Sequence, residues 1–472
     1  MWDFNAYPSN TALLSEDGRQ LSYRELDKLQ QHYGNFIQDK RALTFLICDT
    51  SMEDIIFYIA CVQNKIPVML VDKNLSREVI DRLVDSYKPK YIWCLGEDFS
   101  HCGYMVCNHG HAYKLYCKED INTAVNEELA LLLLTSGSIG SQKSVRISYK
   151  NIQANMQSIA DSLALDETDA AMVMLPMYYS YGLSVIHSNL LAGATLLIPK
   201  SSFFSPKFWN FFKECHGTSL CGVPYTYEVL KKLNFHQNIL PDLRLITQAG
   251  GALSIEMQKY LLAYVKDKNI NLAIMYGQTE ATARISCYFL NENPEKMGSV
   301  GRVIPGGRIE LEDGCDKGEF LYMGKNVSLG YANSSLDLLR GDENKGILHT
   351  GDIGYIDGDG FLYITGRKSR IAKVLGIRIN LDKLQELLSQ ISGFTVICVE
   401  QKGYIFAFID DRKKEEAVYE AAKESNIDIR FLKVICEKEI PRGSNGKILY
   451  GQLQMMAESA ADDVNRAEAG RI

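Results

Sequence analysis

Apolar and polar positions alternate in blocks along the first 120 residues. ALTFLIC (42–48) and IPVMLV (66–71) are short, almost wholly apolar runs, which is typical of strands buried on both faces. Between them, SMEDIIFYIACVQ (51–63) has the length of a helix, and a helical segment at 76–87 precedes another apolar run, KYIWCL (90–95). Strands and helices that alternate in this way predict βαβ units and a parallel sheet.

The same alternation returns after residue 150. The segment 151–165 places Ile152, Met156, Ile159 and Leu163 at helical spacing, which predicts an amphipathic helix. The pattern also predicts a helix at 183–191 and strands at 170–175, 194–199, 219–224, 243–251 and 270–277. Ligands of open α/β sheets bind outside the carboxyl ends of the strands, so the turns that follow these strands are candidate sites.

The pattern changes between Gly298 and Gly366, where short apolar runs such as GEFLYMG (318–324) and GFLYITG (360–366) are separated by Gly, Asp and Asn. This spacing predicts antiparallel structure, in the form of a small β-barrel. A compact unit follows Arg367, with helices predicted near 381–390 and 413–425 and strands near 394–400 and 404–409.

These patterns predict an α/β protein with two domains and a tail. The large N-terminal domain (1–366) contains the parallel sheets and the barrel, and a small α+β domain (367–452) follows a boundary at 366–370. The tail (453–472) is rich in Ala, Asp and Glu, which predicts a frayed helix or a disordered segment.

Composition narrows the possible functions. The 472 residues carry a formal charge of −7, which argues against a general nucleic-acid binder or a protein of anionic membrane surfaces. Neither a membrane-spanning run nor a secretory signal is visible, so we expect a cytoplasmic protein. Its twelve cysteines show no paired spacing and predict reduced thiols rather than a zinc site.

The strongest chemical signal follows the apolar run Leu129–Leu134. There the segment TSGSIGSQKS (135–144) combines small residues, hydroxyls and Lys143, a composition suited to gripping a phosphate. Taken alone, a Ser/Gly-rich surface turn would be a strong competing interpretation. The segment resembles the phosphate loop of the adenylate-forming superfamily, T-S-G-[ST]-T-G-x-P-K-G, which includes acyl-CoA synthetases. The matching residues are Thr135, Ser136, Gly137, Ser138, Gly140 and Lys143, whereas Ile139, Gln142 and Ser144 depart from the pattern.

Two further segments resemble nucleotide-binding motifs of that superfamily. MYGQTEATA (275–283) matches Y-G-x-T-E, which includes Gly277 and Gln278. The resemblance implies that Tyr276 stacks on adenine, Thr279 contacts the α-phosphate and Glu280 binds Mg²⁺, for which a carboxylate oxygen is a suitable ligand. QAGGALS (248–254) resembles the Gly-rich turn beside the nucleotide, and its small residues Gly250, Gly251 and Ala252 permit close backbone approach.

HTGDIGYIDGDGFLYITGR (349–367) is the most specific match. The resemblance implies that Asp352 accepts hydrogen bonds from both ribose hydroxyls and that Arg367 reaches the same sugar; two carboxylate oxygens suit a vicinal diol. PRGSNGK (441–447) resembles the superfamily's C-terminal motif, which makes Lys447 the expected catalytic lysine of adenylate formation.

GRKSRIAKVLGIRIN (366–380) resembles the hinge segment, with Ser369 where Asp or Lys is usual. This departure leaves the electrostatics of the hinge open. The resemblance implies that the small C-terminal domain is mobile about this hinge. Its movement would bring Gly376 and Arg378 to a thiol acceptor, the pantetheine of CoA or of an acyl carrier protein.

LPMYYSYGLS (175–184) resembles the superfamily's acid-pocket segment, with Tyr179 where His is frequent and without the Asp that pairs with an α-ammonium group. Because an unpaired buried ammonium is costly, we expect acids without an α-amino group. Tyr179, Tyr181, Gly222 and Tyr225 are candidate pocket residues, but core packing of the tyrosines is about as good an interpretation.

Together the motifs cover most of the chain and imply an ATP- and Mg²⁺-dependent acid–thiol ligase that passes an acyl group from acyl-AMP to CoA or phosphopantetheine. Two alternatives remain open. One is a ligase with an amine or hydroxyl acceptor, and the other is a nucleotide-binding paralogue that has lost turnover.

Overall fold

The computed structural model describes residues 1–110, 112–134, 143–266, 268–314, 316–374, 377–424, 429–443 and 448–469. The chain divides into two compact units. The first contains residues of 1–134, 143–309 and 322–348, and the second contains residues of 310–321 and 349–469. The predicted boundary at 366–370 falls within the second unit, and its role as a hinge stays a prediction.

Two mixed sheets build the first unit. From edge to edge, one consists of Arg302–Val303, Ser286–Phe289, Asn271–Tyr276, Leu245–Gln248, Ser219–Gly222, Ala170–Met172, Thr195–Ile198, Thr11–Ser15 and Gln20–Ser22. The other consists of Gly330–Ala332, Ser144–Ser148, Leu129–Leu134, Val68–Asp72, Thr44–Cys48, Tyr91–Leu95, Tyr113–Cys117 and Met105–Gly110. The central strands of each sheet pair in parallel, which confirms the predicted α/β class.

Helices connect these strands. Their bounds are Tyr23–Gly34, Met52–Gln63, Arg77–Tyr87, Tyr149–Leu163, Ser180–Ala192, Pro206–Glu214, Pro224–Lys232 and Ile255–Val265. The helix Tyr149–Leu163 shows how the sequence starts such an element: Ser148 Oγ accepts from the Asn151 N–H at 3.1 Å, and Asn151 Oδ1 accepts from the Ser148 N–H at 2.8 Å. This capping box satisfies two N–H groups and turns Asn151 and Asn155, one turn apart, into the protein.

Further sheets follow residue 306. Where the sequence predicts a small β-barrel, Gly307–Leu311, Gly318–Gly324, Ile347–Ile356 and Leu362–Arg367 form a sheet in that order. The predicted α+β region contains the strand pair Ile371–Val374 and Ile377–Asn380, the sheet of Ile397–Gln401, Tyr404–Ile409 and Leu432–Cys436, and the helices Leu381–Ser392, Glu415–Glu424 and Tyr450–Ala469.

The segment predicted as a frayed or disordered tail begins within the last of these helices. Leu453, Ala457 and Ala461 recur every four residues on it and are fully buried against Val399 and Phe406. Part of the tail therefore contributes to the core of the second unit. In the described part of the chain, no helix is both long and apolar enough to cross a membrane.

Candidate active site

The Y-G-x-T-E segment forms a tight hairpin at the edge of the first sheet. Tyr276 ends its strand almost fully buried, and the chain returns antiparallel at Ser286. Gly277 is required by a close approach, since a Cβ there would lie 1.8 Å from the Ala283 carbonyl oxygen. Gln278 follows in an extended conformation and leads into the short turn Thr279–Ala281. The predicted motif is thus a folded-back loop after a strand end, as expected for a ligand site in an α/β sheet.

Thr279 lies beside the start of a helix. Its hydroxyl oxygen is 3.2 Å from Ser180 Oγ, and Ser180 opens the helix Ser180–Ala192. The hydroxyl proposed to meet the α-phosphate is therefore held by a second chain segment about a hundred residues away.

Glu280 and Lys143 share a partner, Tyr331, which the sequence analysis missed. Tyr331 Oη donates to Glu280 Oε1 at 2.8 Å, and Lys143 Nζ lies 3.4 Å from the centroid of the Tyr331 ring. Burial and then the Glu280 carboxylate raise the pKa of Tyr331, so its hydroxyl stays protonated and donates. An oriented, half-buried carboxylate oxygen beside a cation suits the coordination of Mg²⁺ carried by a polyphosphate.

The predicted Gly-rich turn follows the strand Leu245–Gln248. Gly250 has a φ of +85°, a conformation that favours glycine. Gln248 Nε2 donates to the Gly251 carbonyl at 2.8 Å and closes the turn, while Gly251 and Ala252 are exposed. An exposed turn of small residues leaves its backbone open to a ligand.

The four candidate pocket residues have different environments. Tyr181 is buried, with its hydroxyl 2.9 Å from the Thr247 carbonyl oxygen, and Tyr179 is half-buried with its ring edge-on to Tyr181 at 6.4 Å. Gly222 is buried at the end of its strand, whereas Tyr225 is 40% exposed. Tyr181 thus packs as a core aromatic whose ring contacts that of Tyr179. The roles of these four residues in an acid pocket stay predictions.

Arg284 is a second residue that the sequence analysis missed. It lies in the return arm of the hairpin, only 2% exposed, with its guanidinium carbon 4.9 Å from the centroid of the Tyr181 ring. The available signal was a lone Arg shortly before the strand Ser286–Phe289, but the burial of Arg284 depends on contacts that the local pattern does not show.

In the second unit, Asp352 and Arg367 face each other on paired strands. Arg367 Nε donates to Asp352 Oδ1 at 2.8 Å; the Asp352 side chain is 2% exposed and that of Arg367 is 60% exposed. The pair that the motif predicted is therefore brought together, with one buried carboxylate and one accessible cation.

The strand that carries Asp352 is held by Glu319. Its Oε1 accepts from the Gly351 N–H at 2.8 Å, and its Oε2 accepts from Lys368 Nζ at 2.8 Å. Burial alone would raise the pKa of Glu319, but the hydrogen bonds from Lys368 and Gly351 outweigh burial and lower it. A charged Glu319 thus anchors both strands that carry the Asp352–Arg367 pair.

Several predicted residues lie outside the described residues: Thr135, Ser136, Gly137, Ser138, Gly140, Gly376 and Lys447. Arg378 lies in the strand Ile377–Asn380, opposite Lys373, and only its backbone is described. The roles expected for these residues stay predictions.

Comparison with known proteins identifies the family. A family model for the AMP-binding enzyme matches residues 2–332. The chain is 27% identical over 415 residues to a 2-succinylbenzoate–CoA ligase of Bacillus cereus, covering 83% of each chain. It also matches the structure of the Bacillus subtilis o-succinylbenzoate CoA synthetase with its acyl-adenylate intermediate, with a TM-score of 0.76, 21% identity, and 95% and 96% of the two chains covered. The same enzyme with ATP and a magnesium ion gives a TM-score of 0.75 at 22% identity, over 94% and 97% of the chains.

The chain belongs to the AMP-binding enzyme family. The predicted superfamily and fold class are thereby confirmed. So is the predicted class of enzyme, an adenylate-forming acid–thiol ligase: the curated relatives are CoA ligases, and the related Bacillus subtilis structure binds ATP and a magnesium ion.

Proposed function

We propose that this chain converts a carboxylic acid without an α-amino group into its CoA thioester through an enzyme-bound acyl-AMP. The observation that carries this proposal is the joint arrangement of Glu280, Tyr331 and Lys143, which places an oriented carboxylate and a cation beside the Y-G-x-T-E hairpin. A carboxylate is a poor electrophile, and ATP supplies the leaving group that makes acyl transfer feasible.

In the first step, a carboxylate oxygen of the substrate attacks the α-phosphorus of ATP. The bond to the β-phosphate oxygen breaks, and pyrophosphate leaves with the electron pair. Mg²⁺ supplies charge neutralisation on the phosphate oxygens when bound. Lys143 provides a second positive charge, and the Thr279 hydroxyl donates a hydrogen bond to the α-phosphate. Tyr331 holds the Glu280 carboxylate in place. We assign the contact with the developing charge at the α-phosphate to Lys447.

In the second step, the thiol of CoA attacks the acyl carbon of acyl-AMP, the bond to the AMP oxygen breaks, and AMP leaves while the thiol loses its proton. We assign the approach of the pantetheine arm to Gly376 and Arg378, and the change between the two steps to a hinge at 366–370. Asp352 and Arg367 bind the ribose in this proposal. A carrier-protein thiol is the alternative acceptor, and we propose a cytoplasmic location.

ATP–pyrophosphate exchange across short, branched, aryl, long-chain and amino acids tests the first step. We expect exchange with acids that lack an α-amino group, since the segment 175–184 contains no Asp or Glu that could pair with an ammonium group. Exchange that is strongest with an amino acid would contradict this. ATP binding without exchange for any acid would favour the paralogue without turnover.

Product analysis of the second step compares CoA, a holo-carrier protein and hydroxylamine as acceptors. A thioester formed with CoA at the rate of adenylate consumption supports the proposal. An amide or ester as the main product, with CoA inert, would favour the ligase with an amine or hydroxyl acceptor.

A further inference from the structure

Arg284 is held in place by its main chain. Its carbonyl oxygen accepts from Asn155 Nδ2 at 3.1 Å and from Asn326 Nδ2 at 2.8 Å, and both amides are buried. Gly277 lies against the backbone of the same turn. The direction in which the side chain leaves the hairpin is therefore determined by contacts that do not involve the guanidinium.

The guanidinium itself lacks an anionic partner. Among the residues that the structure describes, no hydrogen bond or ion pair involves it, and its Nε is buried without an acceptor. Burial lowers the pKa of Arg284, which reflects the missing solvation. A desolvated cation without a counter-charge is costly, and the facing ring of Tyr181 returns only part of that cost.

The nearby titratable groups are neutral. Burial raises the pKa of Cys221 to about 11 and that of Cys287 to about 12, so both thiols are protonated. The hydroxyl of Tyr181 also has a raised pKa, and it lies against Thr247. No described carboxylate therefore balances the charge of Arg284.

The surroundings of Arg284 are those of the predicted acid pocket. Tyr179 and Tyr181 come from the segment that resembles the superfamily's pocket, and they belong to an apolar cluster with Leu175, Val223 and Met275. Arg284 thus places a planar cation beside an apolar cluster, and a guanidinium is suited to a carboxylate, which it can bind through two parallel N–H···O bonds.

We propose that Arg284 binds a second carboxylate on the substrate acid, so that the preferred substrates are dicarboxylic acids. One carboxylate reacts with ATP, and the other neutralises the buried guanidinium. This inference rests on the proposed function, because it concerns the acid that the ligase activates. It goes beyond that function by naming the substrate class and the residue that selects it.

The test measures ATP–pyrophosphate exchange with matched pairs of acids: succinate with butyrate, glutarate with pentanoate, and phthalate with benzoate. We expect the wild type to prefer the dicarboxylate of at least one pair by about tenfold or more in kcat/KM, the effect expected of a charged hydrogen-bonded pair. Arg284→Met should lose that preference by lowering the rate with the dicarboxylate alone. Arg302→Met, which removes an exposed arginine, is the matched control and should keep the preference.

Two results would overturn the proposal. One is a wild type that prefers the monocarboxylate in every pair. The other is an equal loss for both members of a pair in Arg284→Met, which would mean that Arg284 acts on the reacting carboxylate or on the fold. If Arg284→Met does not fold, Arg284→Lys decides the matter: a loss confined to dicarboxylates supports the proposal, and an equal loss refutes it.

A thermal-shift measurement separates this inference from the proposed function. The preferred dicarboxylate should raise the Tm of the wild type and of Arg302→Met, but not that of Arg284→Met. A shift without pyrophosphate exchange for any acid would retain Arg284 as a carboxylate receptor and reject the ligase activity. Exchange with monocarboxylates alone, and no Tm shift with dicarboxylates, would support the ligase activity and reject Arg284 as a carboxylate receptor.

Discussion

Replacing Asp352 with Ala should weaken AMP binding strongly and change the stability of the protein little. In the proposed role, its carboxylate accepts hydrogen bonds from both ribose hydroxyls. Losing such a pair costs about 1–3 kcal/mol, which corresponds to an increase in Kd of roughly 5- to 150-fold. The side chain is 2% exposed, so water cannot take over the same contacts without a rearrangement.

The expected effect on stability is much smaller. The partner of Asp352, Arg367, has a side chain that is 60% exposed, so water can replace the lost acceptor. The two strands stay paired through their main chains, and Thr350 Oγ1 still accepts from the N–H of residue 352. Ion pairs between solvent-exposed residues contribute about 1 kcal/mol or less to the free energy of unfolding, and we expect a loss of that order here because the charge left behind on Arg367 is exposed.

Isothermal titration with AMP measures the first effect and denaturant unfolding the second. Asp359→Ala is the matched control, because it removes an exposed carboxylate from the turn of the same hairpin. An AMP affinity in Asp352→Ala within twofold of the wild type would refute the ribose contact. An equal loss in Asp359→Ala would show that net charge, rather than a specific contact, controls binding.

Three other substitutions test separate parts of the site and fold. Lys447→Ala should abolish adenylate formation but largely spare thioester formation from pre-made acyl-AMP. Stopped assays of each half-reaction measure the two rates, and equal losses in both would contradict the assignment of Lys447 to the first step. Tyr331→Phe removes the hydrogen bond to Glu280 and should raise the Mg²⁺ concentration for half-maximal exchange by about 2- to 12-fold, the cost of one such bond; an unchanged Mg²⁺ titration would remove Tyr331 from the site. Burial lowers the pKa of His187 to about 3, so the unfolded chain binds a proton that the folded chain does not as pH falls below about 6.5. Unfolding measured between about pH 4 and pH 6 should therefore lose up to about 1.4 kcal/mol per pH unit through this group, and His187→Gln should show a shallower slope; parallel slopes would exclude the effect.

The strands and helices of the chain were largely predictable because they depend on local patterns. The apolar runs at 42–48 and 66–71 became the strands Thr44–Cys48 and Val68–Asp72, with a helix between them as predicted. The hairpin of Met105–Gly110 and Tyr113–Cys117 was missed, because its polar residues weaken the strand pattern. The parallel pairing of Thr11–Ser15 with Thr195–Ile198 joins segments about 180 residues apart, a distance over which local periodicity carries no information.

The candidate site divides in the same way. Motif spacing led to Glu280, Asp352 and their neighbours, because those residues occur in recognisable strings. Tyr331 and Arg284 do not: their partners Lys143 and Tyr181 are far away in sequence and meet them only in the folded chain. A residue whose role depends on tertiary contacts cannot be identified from a local sequence motif.

The way the hairpin is anchored has a practical meaning for redesign. The carbonyl oxygen of Arg284 is held by Asn155 and Asn326, and the absence of a side chain at Gly277 lets the turn close. Substitutions at residue 284 should therefore leave the main chain of the hairpin, and with it Glu280, in place. A saturation library at this position would select variants that accept acids with different end groups. The same library at position 277 would return mostly misfolded protein, because even alanine would force the turn open.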